Sequence, residues 1–279
     1  MTQSTCKIAV LDMNAKEPNE GMRCIKMLVT EFLGQDRIKG HYDIFEVRVN
    51  GEIPNVEDYD IFISSGGPGS PLISGAEWEN GYFGVLDGIL KHNLNHPVKK
   101  HLFLICHSFQ LACLHWDLAK VTKRRSTSFG VFPIHKTLSG ELEPLFEGLN
   151  NPFYAVDSRD YQVIGPQEWK LETLEGKVLC REKIRPQVSL ERAVMAIRFS
   201  TEIFGVQFHP EADSEGMLRY FQREDKRQQV IKVIGKIRYR DLLEHLDDDD
   251  KIMKTNHTII PRFLQLAWDA IDRSKLISV

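Results

Sequence analysis

His101-Leu102-Phe103-Leu104-Ile105-Cys106-His107-Ser108-Phe109-Gln110 is an apolar run that ends at a cysteine. A small residue, Ser108, follows two positions on, and Leu111-Ala112-Cys113-Leu114 then opens a helix-forming stretch. Strand, tight turn and helix, with Cys106 on the turn, hold a nucleophile at the carboxyl end of a sheet. The N-terminus of the helix points backbone N–H groups and the positive end of its dipole at that side chain. Both effects favour thiolate over thiol and stabilise an oxyanion. A buried structural cysteine in a core strand fits the same ten residues, because unpaired cysteines are commonly buried.

Upstream of the run, Ile61-Phe62-Ile63-Ser64 reads as another buried strand, followed by the turn Ser65-Gly66-Gly67-Pro68-Gly69. Glycines at the carboxyl end of a parallel strand let the backbone approach a ligand closely. The turn lacks the Lys-Ser/Thr ending of a phosphate-cradling loop. It reads either as a loop that merely needs glycines or as an oxyanion loop facing Cys106, and its place at the carboxyl end of a strand favours the second. Residues 7–11 form a continuous apolar strand, and residues 20–33 carry Met22, Ile25, Leu28, Val29 and Phe32 at helical spacing, with Gly34 as the stop. Residues 42–49 alternate as a strand, and residues 77–94 read as a crossover helix with Phe83, Leu86, Ile89 and Leu90 inward. This order predicts a mostly parallel sheet flanked by helices. His92, His96 and His101 do not share one face, so no metal site is expected, and no cofactor.

Downstream, Lys123-Arg124-Arg125 reads as a solvated turn. Short β-like pieces within residues 129–134, 152–156, 178–180 and 194–199, with Val163 between, suggest an antiparallel excursion. The main sheet resumes at Ile203-Phe204-Gly205-Val206-Gln207-Phe208 and ends in His209-Pro210-Glu211. Pro210 fixes the backbone between an imidazole and a carboxylate that can orient it. The result is a Cys-His-Glu constellation, each member placed after a β-run.

The 279 residues suffice for one large α/β domain with an extension. A net charge of −3 implies no nucleic-acid partner. Five scattered cysteines (Cys6, Cys24, Cys106, Cys113, Cys180) without a CxxC pair read as a reduced, cytoplasmic protein. No signal peptide and no membrane span are expected.

Three motifs resemble the class I (triad) glutamine amidotransferases, and most closely the stand-alone domains similar to the glutaminase part of GMP synthase. They are Ser64-Ser65-Gly66-Gly67-Pro68, the elbow from Leu104 to Gln110, and Gly205-Val206-Gln207-Phe208-His209-Pro210-Glu211, which matches the family residue for residue. The resemblance covers residues 7–221 and implies a flavodoxin-like fold of the family's type. It also implies that Cys106 attacks the side-chain amide of glutamine, His209 shuttles the proton and Glu211 orients His209. Gly67 and His107 would hold the oxyanion through their N–H groups, and Gln110 would contact glutamine. The implied partners are a small-molecule substrate and a separate ammonia-accepting synthetase.

The chain also departs from the family. Leu104 and Ser108 replace the two elbow glycines. Ser158-Arg159-Asp160-Tyr161-Gln162-Val163 stands for Ser-His-x-Asp-x-Val, the segment that helps hold the amino-acid end of glutamine, so Ser158, Arg159 and Tyr161 are substrate-binding candidates. An Ile-Cys-His elbow also resembles the PfpI/DJ-1-like family, in which the His beside the Cys takes part. A γ-glutamyl hydrolase without a partner, and a binding or regulatory protein that kept the fold, are the other readings.

The amidotransferase-like domain is expected over residues 1–221 and a helical extension over 222–279. Residues 219–245 carry Phe221, Val230, Ile231, Val233, Ile234, Ile237, Leu242 and Leu243 at helical spacing. Asp247-Asp248-Asp249-Asp250 reads as a solvated turn. Residues 261–271 read as a last amphipathic helix burying Phe263, Leu266 and Trp268, either on the chain's own domain or against a second copy or partner. No synthetase domain is expected within the chain.

Overall fold

The structure is a computed structural model describing residues 5–17, 19–187, 189–246, 248 and 250–277, with the backbone only at 225, 226, 229, 233, 234, 276 and 277. The side chains of Val233 and Ile234, and residues Asp247 and Asp249, therefore lie outside the described residues.

The first half alternates strand and helix. β1 (Thr5–Asp12) leads to α1 (Glu20–Leu33), β2 (Lys39–Glu46), a short α2 (Val47–Asn50) and β3 (Ile61–Ser64). α3 (Glu77–Asn95) crosses to β4 (His101–Ile105), and α4 (His107–His115) follows after one residue. Asn19 caps α1 by accepting the Met22 N–H at 3.0 Å, and Gly34 ends it at φ −75°, without entering the left-handed region. The strand expected over 42–49 ends earlier: Val47 turns inward to a fully buried position and opens α2. His92 is held by its neighbours. One ring nitrogen faces Glu57 at 3.1 Å, the other faces the Val98 carbonyl at 3.0 Å, and the ring stacks on His96.

The second half holds β5 (Lys120–Lys136), α5 (Leu138–Glu141), β6 (Phe153–Ile164), α6 (Glu168–Glu172), β7 (Lys177–Arg181), β8 (Val194–Arg198) and β9 (Ile203–Val206). The nine strands run in the order β2-β1-β3-β4-β9-β8-β6-β5-β7. The pairs from β2 to β9 are parallel, and those beyond β9 are antiparallel. β7 also pairs with β8, so the antiparallel excursion closes four strands on themselves. The basic triplet at 123–125 lies inside β5 rather than on a turn, at a register shift between Lys123 and Ser128.

The apolar runs of the parallel strands follow from cover on both faces. Ile8, Val10, Ile61, Ile63, Phe103 and Ile105 join one core, whereas Ala9, Leu11, Phe62, Leu102 and Leu104 alternate into the other.

α7 (Ser214–Gln222), α8 (Glu224–Ile234), α9 (Lys236–Leu246), α10 (Ile252–Asn256) and α11 (Ile259–Ile277) complete the chain. The single helical stretch expected over 219–245 is three helices, broken at Arg223 and at Gly235, whose φ of 84° favours glycine. Ile237 is exposed. α11 docks on the chain's own sheet, where Phe263, Leu264, Trp268 and Ile271 join the core that contains Phe103 and the α1 face. The Phe263 and Phe103 rings lie 5.1 Å apart. Each large side chain so buried contributes roughly 1.5–3 kcal/mol. Leu266 departs from the expected stripe: it is 42% exposed, because it sits on the outer edge of the helix.

Candidate active site

β4 ends at Ile105 and α4 begins at His107, so Cys106 makes the whole turn at φ 49°, ψ −98°. A non-glycine residue held there is strained, and such strain concentrates at functional sites. The Cys106 N–H donates to the Val206 carbonyl at 2.7 Å, tying the elbow to the end of β9. The two replaced glycines are accommodated differently. Leu104 is fully buried in register with Gly205, which has no side chain to meet it. Ser108 is buried and donates to the Ser65 carbonyl at 2.6 Å, while its hydroxyl also pairs with that of Ser64 at 2.7 Å. That hydroxyl relay welds the elbow helix to the loop after β3.

The loop runs close to its neighbours. A Cβ at Gly67 would lie 2.3 Å from the Met13 carbonyl oxygen. One at Gly66 would lie 2.8 Å from Cε1 of His209. Only glycine fits either place without displacing a neighbour. Arg48 clamps the loop from behind, donating Nη1 to the carbonyls of Pro68 at 2.7 Å and Met13 at 3.1 Å.

His209 arrives from β9. Its N–H donates to Val156 on β6 at 2.8 Å, and its Nδ1 pairs with Oε1 of Glu211 at 2.8 Å. With Nδ1 taken, Nε2 remains for the Cys106 thiol. Burial opposes charge on the imidazole, but Glu211 and Cys106, through charge and hydrogen bonding, outweigh it and hold His209 well above its ordinary value. His107 behaves oppositely. Burial, with Arg48 adding, pushes it down to about 4, and its Nε2 is buried without a partner among the described residues.

Cys106, His209, Glu211, Gly67, His107, Gln110, Ser158, Arg159 and Tyr161 all line one cleft of about 450 Å³. Within it the candidates differ in what they present. The Ser158 carbonyl faces the Cys106 thiol at 3.8 Å. Gln110 donates to the side chain of Gln207 at 2.9 Å, and Gln207 reaches the Cys106 sulfur at 3.6 Å. The Arg159 guanidinium is held by Asp157 at 2.8 Å and Glu182 at 2.6 Å, and Arg124 shares that Glu182 oxygen at 2.6 Å. Burial opposes the Arg159 charge, and Asp157 and Glu182 outweigh it and raise its pKa. The Arg159 charge is thus balanced by Asp157 and Glu182, in a residue that also lines the cleft.

Three further contacts are not singled out by the sequence. Gly66 and Gln207 lie within two of the motifs above, and the two-residue spacing of Gln207 and His209 is the signal that could have found the second. Gly21, on the first turn of α1, comes so close to Glu211 that a Cβ there would lie 3.2 Å from Oε1. No local signal marks it. Among the described residues, no group of three or more His, Cys, Asp or Glu side chains is placed to hold a metal ion. No helix among them is long and apolar enough to cross a membrane.

The family model of the class-I glutamine amidotransferases matches residues 38–224. No curated protein matches the sequence. Among solved structures, a glutamine amidotransferase from Thermotoga maritima superposes with a TM-score of 0.68 at 12% identity, covering 95% of this chain and 98% of its own. A glutamine amidotransferase from Methylobacillus flagellatus gives 0.64 at 13% identity, covering 97% and 96%. A GMP synthase-like protein from Thermoplasma acidophilum gives 0.56 at 15% identity, covering 99% and 98%. These likenesses are of fold, and the family match spans the elbow, the glycine loop and the His-Pro-Glu turn alike. The chain belongs to the class-I glutamine amidotransferase family.

Proposed function

We propose that the protein hydrolyses the side-chain amide of glutamine, or of a γ-glutamyl compound, through a γ-glutamyl thioester on Cys106. The observation that carries this reading is the strained Cys106 elbow facing a His209 already hydrogen-bonded to Glu211 at 2.8 Å. The Cys106 thiolate attacks the amide carbon, and the resulting oxyanion lies between the N–H groups of Gly67 and His107. His209 gives its proton to the departing nitrogen, which leaves as ammonia. Water, deprotonated by the now neutral His209, then cleaves the thioester to glutamate and regenerates the thiol. Glu211 keeps the imidazole aimed and supports its charge. Gln110, Ser158, Arg159 and Tyr161 form the wall that receives the rest of the substrate. A binding protein that merely kept the fold would have no use for a strained residue at the elbow.

The ammonia is proposed to pass to a separate synthetase. The fold likeness to a GMP synthase-like protein supports an ammonia-supplying role of that kind. A stand-alone γ-glutamyl hydrolase is the second reading, since a γ-glutamyl amide carries the same amino-acid end as glutamine and presents the same carbonyl to Cys106. The PfpI/DJ-1-like reading, with His107 as the base, finds less support, since the groups acting on His107 are Arg48 and Glu79 rather than Cys106.

The test is ammonia release from glutamine and from γ-glutamyl amides, with wild type, Cys106→Ala and His209→Ala, alone and with cell extract added. Release that requires both residues supports the proposal. Turnover of γ-glutamyl amides alone, without extract, selects the stand-alone hydrolase. Release that survives Cys106→Ala sinks both.

A further inference from the structure

The family match ends at residue 224, yet the chain beyond it reaches the turn that carries Glu211. Asn256, on α10 and 1% exposed, donates its Nδ2 to the main-chain oxygen of Glu211 at 2.8 Å. Its neighbour Thr255, also 1% exposed, donates to the Tyr154 carbonyl on β6 at 2.6 Å. Tyr154 stands two residues before Val156, whose carbonyl holds the His209 N–H. The Met253 sulfur accepts the Ser214 N–H at 3.3 Å, just past the same turn. Ile252 anchors the short helix in the satellite core with Val156, Ala212 and Phe221.

The geometry makes Glu211 dependent on this support. One carboxylate oxygen bonds His209, and the other is buried with no partner among the described residues. The aim of the carboxylate therefore rests on where its backbone is held. Pro210, beside it, has no N–H to offer a second tie. We infer that Asn256 is a positioning residue for the His209–Glu211 pair, and that α10 makes the C-terminal extension part of the active site. This rests on the triad proposed above. The groups that act on the His209 charge are Glu211 and Cys106; Arg159 from β6 also interacts with Cys106, and Cys24 from α1 with Glu211. Asn256 carries no charge of its own, so its effect on the pair is one of geometry.

The experiment uses the full chain and iodoacetamide, which reports the Cys106 thiolate without a substrate. Alkylation rate is followed against pH for wild type, His209→Ala and Asn256→Leu, with kcat and KM for amide release measured alongside. A loosened Glu211 supports the imidazolium less, so the thiolate appears at higher pH. The expected result for Asn256→Leu is a midpoint moved up by about half a unit or more, with kcat down roughly tenfold and KM within about twofold. A purely structural role would lower the melting temperature and leave the midpoint in place, and that result overturns the inference. Should Asn256→Leu fail to fold, Asn256→Ser, whose donor is too short to reach Glu211, carries the same test. A wild-type profile unchanged by His209→Ala overturns the triad reading instead.

Discussion

Replacing Gly66 by alanine tests the site at its tightest point. The added methyl would stand 2.8 Å from Cε1 of His209 and 3.5 Å from Cβ of Cys106. Carbon atoms in contact prefer about 3.5–4.0 Å, so the imidazole must yield by roughly 0.7 Å or more. It has little freedom to do so, because Nδ1 is fixed on Glu211 and the backbone N–H on Val156. A misplacement near 1 Å costs up to about 10²-fold in rate, so Gly66→Ala should lower kcat about 10- to 100-fold. Overpacking costs about 1–3 kcal/mol in stability, which urea melts will read. Ammonia release gives kcat, and the pH profile of Cys106 alkylation reports His209 independently of the substrate. Gly84→Ala on α3 is the control: nothing lies within 4 Å of its added methyl, and alanine improves a helix interior by about 1 kcal/mol. If Gly66→Ala keeps wild-type kcat within twofold and an unchanged alkylation profile, the contact between loop and imidazole is not part of the chemistry.

Three further outcomes are expected. Cys106 should be the only thiol labelled quickly at neutral pH, because burial pushes Cys6 and Cys24 up to about 12 and Cys113 and Cys180 well above their ordinary value; rapid labelling of Cys113 or Cys180 in peptide mass spectra would contradict this. Arg159→Met should destabilise the fold by about 3–5 kcal/mol in urea melts, since it leaves the Asp157 carboxylate buried without its cation; a loss below about 1 kcal/mol would show that β6 tolerates the unpaired buried carboxylate. Deletion of residues 251–279 should abolish cooperative folding, because it strips α11 from the core around Phe103; a truncated chain that melts like the full one would mean the sheet face is stable uncovered.

The parts of the site legible in the sequence are those whose signal is local. A buried strand, a cysteine and a helix opening occupy ten consecutive residues, and the Gly-Gly-Pro turn and the His-Pro-Glu turn are each contained in one short stretch. Leu104 and Ser108 are visible as departures, but their consequences are not. Leu104 is absorbed by Gly205, a hundred residues away, and Ser108 works through Ser64 and Ser65 on another strand. Arg159 reads as a substrate contact because its segment stands where the family holds glutamine. What the sequence does not show is that its guanidinium also meets Asp157 and Glu182, the second of which lies beyond β7 in an irregular stretch with no motif. The helix over 219–245 reads as one because its apolar spacing is nearly continuous, and Gly235 at φ 84° breaks it in space.

The sequence by itself determined the alternation of strand and helix, the two-sided burial of the parallel strands, and the three turns that carry Cys106, Gly67 and His209. Each follows from periodicity and backbone chemistry among near neighbours. Only the tertiary structure decided which helix covers which face, that α11 shares its core with α1, that Gly66 touches His209 and that Asn256 holds Glu211. Those contacts join residues 45 to more than 200 positions apart, and the choice among partners at such distances is made by packing, which no local stretch of sequence records.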